Sequence, residues 1–237
     1  MELTIVIPTY NEKENIGILL ERIFKLSSKS KIIIVDDSPD QNIKEITNKY
    51  NSVYYIHRIK KGGRGSAVLK GISYALENFN SNYIIEMDAD LSHDTNEITN
   101  NVKFFLDEKA DLLISSRYLK YSKIVNWPIK RIILSFFANN LAQYILKVPV
   151  SDYTNGFRIY SNQAAKHVVT KCGKVGDGFI ILSEILVQLY YNNFKIKEIE
   201  STFVNRVRGD SSVTFKEIFK SLVGLVRIFQ LKNKIKK

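Results

Sequence analysis

Short apolar runs and amphipathic stretches alternate along the first half of the chain. Residues 3–8 are almost continuously apolar, the pattern of a strand buried on both faces. Ile16, Leu19, Leu20, Ile23 and Phe24 then recur at helical spacing, which predicts a helix facing a core. A second buried strand at 32–35 ends in Asp36 and Asp37. A helix within 41–50 and a strand at 53–57 follow. Val68, Ile72, Ala75, Leu76 and Phe79 share one face of a helix over 65–79. A strand at 83–87 ends in Asp88-Ala89-Asp90, and a helix near 95–108 and a strand near 111–116 continue the alternation. Short connections between strands and helices predict an α/β fold, a mainly parallel central sheet with helices on both faces. Such sheets bind ligands beyond the carboxyl ends of their strands. Tyr10, Glu12, Asp36, Asp37, Asp88, Asp90 and Arg117 all fall there.

The second half is less regular. Apolar positions between Ile129 and Val148 predict a long amphipathic helix, whose other face stacks Arg131, Ser135 and Asn139 at intervals of four. Residues 152–160 read as a turn entering a strand, 161–171 and 178–191 as helices, and 194–203 as one strand. A basic loop at 206–212 precedes a capping-box pattern, Thr214 to Glu217, that opens a last helix. No internal repeat or low-complexity linker divides the chain. The expected organisation is therefore a catalytic domain at 1–212, including a helix at about 128–148, and a basic amphipathic helix at 213–237.

Composition narrows the function classes. The chain has 237 residues, 45% hydrophobic and 25% charged, which fits a globular domain. One cysteine, Cys172, excludes a disulfide framework and a Cys-cluster zinc site. No run approaches the roughly 18 apolar residues of a spanning helix, and Met1 to Pro8 lacks a signal-peptide pattern. The net charge is +11, and residues 216–237 carry +6 of it. Charge gathered in a tail, with acids at the strand ends, argues against a nucleic-acid-binding module. It suits a phosphate-bearing substrate or an anionic membrane surface.

Asp88-Ala89-Asp90 is the sharpest local feature. Two carboxylates at one strand end repel unless a cation lies between them, and hard oxygen donors suit Mg²⁺ or Mn²⁺. Against this stands a plain solvated acidic loop. Asp36-Asp37 offers acceptors for a base or ribose hydroxyl, or a helix cap. The glycines of Gly62-Gly63-Arg64-Gly65 suit a phosphate approach or, more commonly, a plain turn. Arg117, Arg131 and Ser135 can converge on a phosphate, since arginine binds it bidentately. His57, His93 and His167 lack metal-like spacing and read as ordinary, and no nucleophile motif is present.

These features together resemble the family-2 glycosyltransferases of GT-A fold, and among them the dolichyl-phosphate mannose synthases. The resemblance rests on IPTYNE (7–12), IIIVDDSPD (32–40), KKGGRGSAVLKG (60–71), MDADLSH (87–93), SSRY (115–118), DYTNGFRIY (152–160) and FVNRVRGDSS (203–212). It implies a Rossmann-like fold for nucleotide-diphospho-sugars, with amphipathic helices at a membrane interface. It implies that Pro8, Tyr10, Glu12, Val35 and Asp37 hold the nucleoside. Asp88, Ala89 and Asp90 would contact the diphosphate, with Asp88 and Asp90 on Mg²⁺ or Mn²⁺. Arg206 would contact the donor phosphates, and Arg117, Arg131 and Ser135 would receive the acceptor phosphate. Two positions depart from the family pattern: Ser92 replaces a metal-contacting Gln, and Ser212 replaces a phosphate-binding Lys, for which Arg208 is a candidate substitute.

A lipid monophosphate acceptor is already anionic near neutrality, so no general base is required. The expected activity is inverting transfer of a hexose, with GDP-mannose the favoured donor, to a polyprenyl or dolichyl phosphate. Asp90, Arg117 and Arg131 would carry the catalysis. The expected location is peripheral, on the cytoplasmic face of a membrane, with a membrane partner subunit as one route of attachment. Alternatives are a UDP-sugar donor, a glycan hydroxyl acceptor with Asp152 as base, and an inactive partner subunit.

Overall fold

In the computed structural model of the chain, seven strands form one sheet in the order β3-β2-β1-β4-β7-β5-β8. The structure describes residues 3–176, 178–205 and 215–236, with side chains in the last helix from 223 onward. The strands are β1 Thr4–Thr9, β2 Lys31–Asp36, β3 Val53–His57, β4 Tyr83–Glu86 and β5 Leu112–Ser116, with β7 Arg158–Ser161 and β8 Ile196–Glu200. Every neighbouring pair is parallel except those of β7, which runs antiparallel to both β4 and β5. The reversal brings the segment entering β7 to the edge where β4 and β5 end.

Helices α1 Lys13–Leu26, α2 Lys44–Thr47, α3 Arg64–Asn78 and α4 Glu97–Asp107 follow their strands as the apolar periodicity predicts. Successive strand residues enter opposite cores. Val6, Ile33, Val35, Ile84 and Leu112 meet α3, α6 (Asn162–Lys171) and α7 (Ile180–Tyr190) on one face. Ile5, Ile7, Ile32, Ile34, Ile85 and Leu113 meet α1 and α4 on the other. This explains strands without polar alternation: both sides are covered. Each buried aliphatic side chain stabilises by about 1.5–3 kcal/mol. Gly71 of α3 lies against Val6, and a Cβ there would collide with that side chain.

Two short elements differ from the sequence expectation. The single strand expected at 194–203 divides at Ser201 into β8 and β9 (Thr202–Val204), which join different sheets. Glu97 accepts hydrogen bonds from Ser201 Oγ (2.6 Å) and Thr202 N–H (2.7 Å), drawing the chain toward α4. β9 then pairs in parallel with β6 (Lys123–Val125), a three-residue strand too short to leave a pattern. The helix expected within 41–50 is only the four-residue α2.

Helix α5 (Ile129–Leu146) turns its polar stripe inward. Asn139 is buried, accepting from Tyr153 N–H at 2.7 Å and donating to Ser135 O. Much of its apolar face is left outside: Ile129 is 75% exposed, Phe137 65% and Tyr144 79%. Helix α8 (Phe215–Ile235) buries Leu225 and Ile228 in the core and leaves Val226 and Phe229 outward. Its Lys232 is also buried, and the ammonium donates to Ile145 O at the end of α5 (2.9 Å). That contact suits the negative end of the α5 dipole. Among the described residues, no helix is long and apolar enough to cross a membrane.

Candidate active site

The cleft opens beyond the carboxyl ends of β1, β2, β4 and β5. Pro8 and Val35 are register partners on β1 and β2, both buried, and form its floor. Tyr10 stands above them, 44% exposed, with Lys61 Nζ 3.3 Å from its ring centroid. Glu12 starts α1 and accepts from Asn15 Nδ2 at 2.7 Å. Asp36 is fully buried and accepts from Thr9, Ser38 and Tyr55. Asp37 accepts from Arg58 Nε and Nη2, both at 2.5 Å, and from Gly62 and Gly63 N–H. The glycine segment is thus a turn whose N–H groups serve a carboxylate. Gly63 has φ +84°, a backbone that favours glycine, at the cap of α3. Neither aspartate caps a helix.

Arg64 opens α3 and reaches the D-x-D motif. Its Nη1 lies 2.7 Å from Glu86 Oε1, and Nη2 and Nε lie 2.7 and 2.8 Å from Asp88 Oδ1. Tyr160 donates to the other Glu86 oxygen at 2.6 Å. Burial would raise the Asp88 carboxyl, but the Arg64 charge and His93 outweigh it and hold it well below the usual carboxylate range. A Cβ on Gly156 would run into the Arg64 guanidinium and crowd Asp88. Asp90 accepts from Ser92 N–H (3.1 Å) and Ser92 Oγ (2.6 Å). Ala89 between the two aspartates is buried.

His93 is not the ordinary residue its spacing suggested. It is buried, with Nε2 3.4 Å from Asp88 Oδ2 and its ring against Phe157 and Phe203. Among the described residues, no group of three or more His, Cys, Asp or Glu is arranged to hold a metal. The donor set is two carboxylates at one strand end. That fits a hard cation completed by substrate phosphates rather than a closed protein cage.

The other half of the cleft is cationic and aromatic. Arg117 follows β5 and is 8% exposed. It donates through Nε (2.7 Å) and Nη2 (2.8 Å) to Asp152, and also to Thr154 Oγ1. Asp152 is fully buried and also accepts backbone N–H from Arg117, Thr154 and Asn155. Burial would raise its carboxyl, yet the Arg117 charge and these donors lower it. A carboxylate so held is a clamp and a poor proton acceptor.

Arg131 lies with its guanidinium carbon 3.9 Å from the Trp127 ring centroid, and Nη1 donates to Asn205 at 3.0 Å. Arg117 is 5.5 Å from the same ring. Tyr118 donates to Ser135 Oγ at 2.6 Å. Arg117 and Arg131 thus approach one ring, and Ser135 is held by the tyrosine that follows Arg117. Arg206, Arg208 and Ser212 lie outside the described residues.

Sequence reasoning missed Arg64, Glu86, His93, Trp127 and Asn205. Glu86 did leave a signal, a carboxylate inside the otherwise apolar β4 run. The others gain meaning only through contacts between distant segments.

A mainly parallel α/β sheet with a D-x-D acid pair at one strand end suits a glycosyltransferase. The chain matches the family described as Glycosyl transferase family 2 over residues 4–169, and it belongs to that family. It is a glycosyltransferase of GT-A fold. It is similar to the polyprenol monophosphomannose synthase of Mycolicibacterium smegmatis, with 30% identity over 90% of this chain and 82% of that protein. It is also similar to the dolichol-phosphate mannosyltransferase of Pyrococcus furiosus, with 32% identity over 99% of this chain and 66% of that protein. Among solved structures, glucosyl-3-phosphoglycerate synthase from Mycobacterium tuberculosis, in complex with Mn²⁺, UDP and glucosyl-3-phosphoglycerate, superposes with a TM-score of 0.67. The match covers 98% of this chain and 79% of that one, at 14% identity, which speaks to fold alone.

Proposed function

We propose that the chain transfers mannose from GDP-mannose to the phosphate of a polyprenyl or dolichyl lipid, with inversion at the anomeric carbon. The observation that carries this reading is the acceptor half of the cleft. Two arginines and a serine hydroxyl gather there, while its carboxylate, Asp152, is fully committed to Arg117. Such a site suits a nucleophile that is already anionic. A phosphate monoester, with its second pKa near 6, meets that need without a base. The two polyprenyl- and dolichyl-phosphate mannose transferases among the relatives support the same choice.

In this reading Pro8, Tyr10, Glu12, Val35 and Asp37 hold the nucleoside, and Asp88, Ala89 and Asp90 face the diphosphate. Asp88 and Asp90 would hold Mg²⁺ or Mn²⁺, which supplies charge neutralisation for the departing nucleoside diphosphate. Arg206 would act on the same phosphates. Arg117, Arg131 and Ser135 orient the lipid phosphate for in-line attack, so catalysis is positioning plus electrostatic stabilisation.

Residues 1–212 would form the catalytic unit and 213–237 its basic helix. The outward apolar faces of α5 and α8 would rest in the membrane interface, beside lysines that favour anionic lipid. In this reading the enzyme would sit peripherally, on the cytoplasmic face, alone or with a membrane partner.

The test is a screen of GDP- and UDP-sugars against a polyprenyl phosphate and against free glycans, with product identification. A lipid-linked mannose made from GDP-mannose is expected. Transfer only from a UDP-sugar would overturn the donor, and transfer only to a glycan hydroxyl would overturn the acceptor.

A further inference from the structure

Trp127 occupies a constrained place. Asn126 before it has φ +61°, and Pro128 after it is the cap residue of α5. Proline disfavours helical backbone in the residue before it, so the main chain at 127 is restricted from both sides. The ring is 9% exposed and meets Phe203 edge-on, 5.4 Å between centroids at 79°. Arg131, in the first turn of α5, lays its guanidinium against this ring. Arg117, from a different strand end, approaches both the Trp127 and the Phe203 rings, at 5.5 and 5.3 Å. One indole therefore touches both cations of the acceptor half. Its Nε1–H is buried and has no hydrogen-bond partner among the described residues.

Two guanidiniums near one point repel each other. Arg117 donates to Asp152, and Arg131 donates to Asn205 and lies against the indole face. The negative face of an aromatic ring attracts a cation, so one indole offers both guanidiniums a common partner.

We infer that Trp127 is a positioning residue for the acceptor phosphate, a rigid platform that holds Arg117 and Arg131 together as one phosphate-receiving pair. This rests on the assignment of those arginines to the acceptor. The platform acts through the arginines, so it affects acceptor binding and leaves donor binding alone.

The chain contains one tryptophan, so its emission reports this site directly. Farnesyl phosphate added to the full-length protein with GDP is expected to change that emission saturably. Farnesol is expected to leave it unchanged, and Arg131→Ala to abolish the response. No change with farnesyl phosphate, or an equal change with farnesol, would overturn the proposal.

Kinetics supply the second measurement. Trp127→Leu should raise the acceptor KM roughly tenfold, while kcat and GDP-mannose affinity stay within about twofold. Trp127→Phe, which keeps an aromatic face, should restore the acceptor KM to within about threefold of the parent. Circular-dichroism melts confirm that both variants are folded. If Arg131→Ala raises the acceptor KM and Trp127→Leu does not, the platform fails and the acceptor assignment stands. If neither raises it, the acceptor assignment itself falls.

Discussion

The donor half of the cleft is made of acids hung from the ends of parallel strands, each met by a nearby cation: Asp37 by Arg58, and Glu86 with Asp88 by Arg64. The acceptor half is made of cations drawn from a strand end and a helix start, met by one buried acid and one aromatic ring. In the proposed function the first arrangement would receive a cation and a diphosphate, and the second an anion. On that proposal, their difference would keep two phosphate-bearing substrates apart in one site.

Removing the donor-side acid should have the largest effect. Asp90→Ala is expected to lower metal-dependent transfer by a factor on the order of a thousand or more. An assay with lipid phosphate and nucleotide sugar checks this, and full activity would remove Asp90 from the metal site. Next is the acceptor-side clamp. Asp152→Ala leaves the buried Arg117 without its counter-ion and should cost roughly 3–5 kcal/mol of stability. Urea unfolding reads this directly.

Arg131→Ala comes third, with an acceptor KM higher by about tenfold to a hundredfold and donor affinity unchanged in calorimetry. Equal losses for both substrates would erase the division between the halves. Acid gives a fourth test. The Asp152 carboxyl is lower in the fold than its unfolded value of about 3.9. Its contribution is therefore present above about pH 4 and is lost as pH falls through the folded value. The stability difference between the parent and Asp152→Asn should be smaller at pH 3 than at pH 7, read from unfolding curves. The smallest effect is expected at the surface: Phe137→Ser should weaken binding to anionic vesicles several-fold without altering stability.

The donor half was largely legible in the sequence because strand ends are local features. Asp37, Asp88 and Asp90 follow apolar runs, and the runs alone locate the cleft. Arg64 was hidden inside a glycine-rich turn, and only the fold brings it against Asp88. The acceptor half was legible as separate residues and illegible as a device. Arg131, Ser135 and Asn139 share a helix face by spacing, but their inward direction depends on the Asn139 contact with Tyr153. Trp127 gave no signal, since one aromatic residue before a proline has many roles. The division of 194–203 into two strands likewise depended on Glu97, nearly a hundred residues upstream.

Gly156 has a consequence for how the two halves can change. The loop from Asp152 to Gly156 begins at the acceptor clamp and ends against the Arg64 guanidinium. A single backbone position is therefore the seam between them. Any side chain there would act as a wedge, pushing Arg64 from Asp88 while pulling on the loop that holds Arg117. The two substrate sites can vary independently only while that seam stays bare.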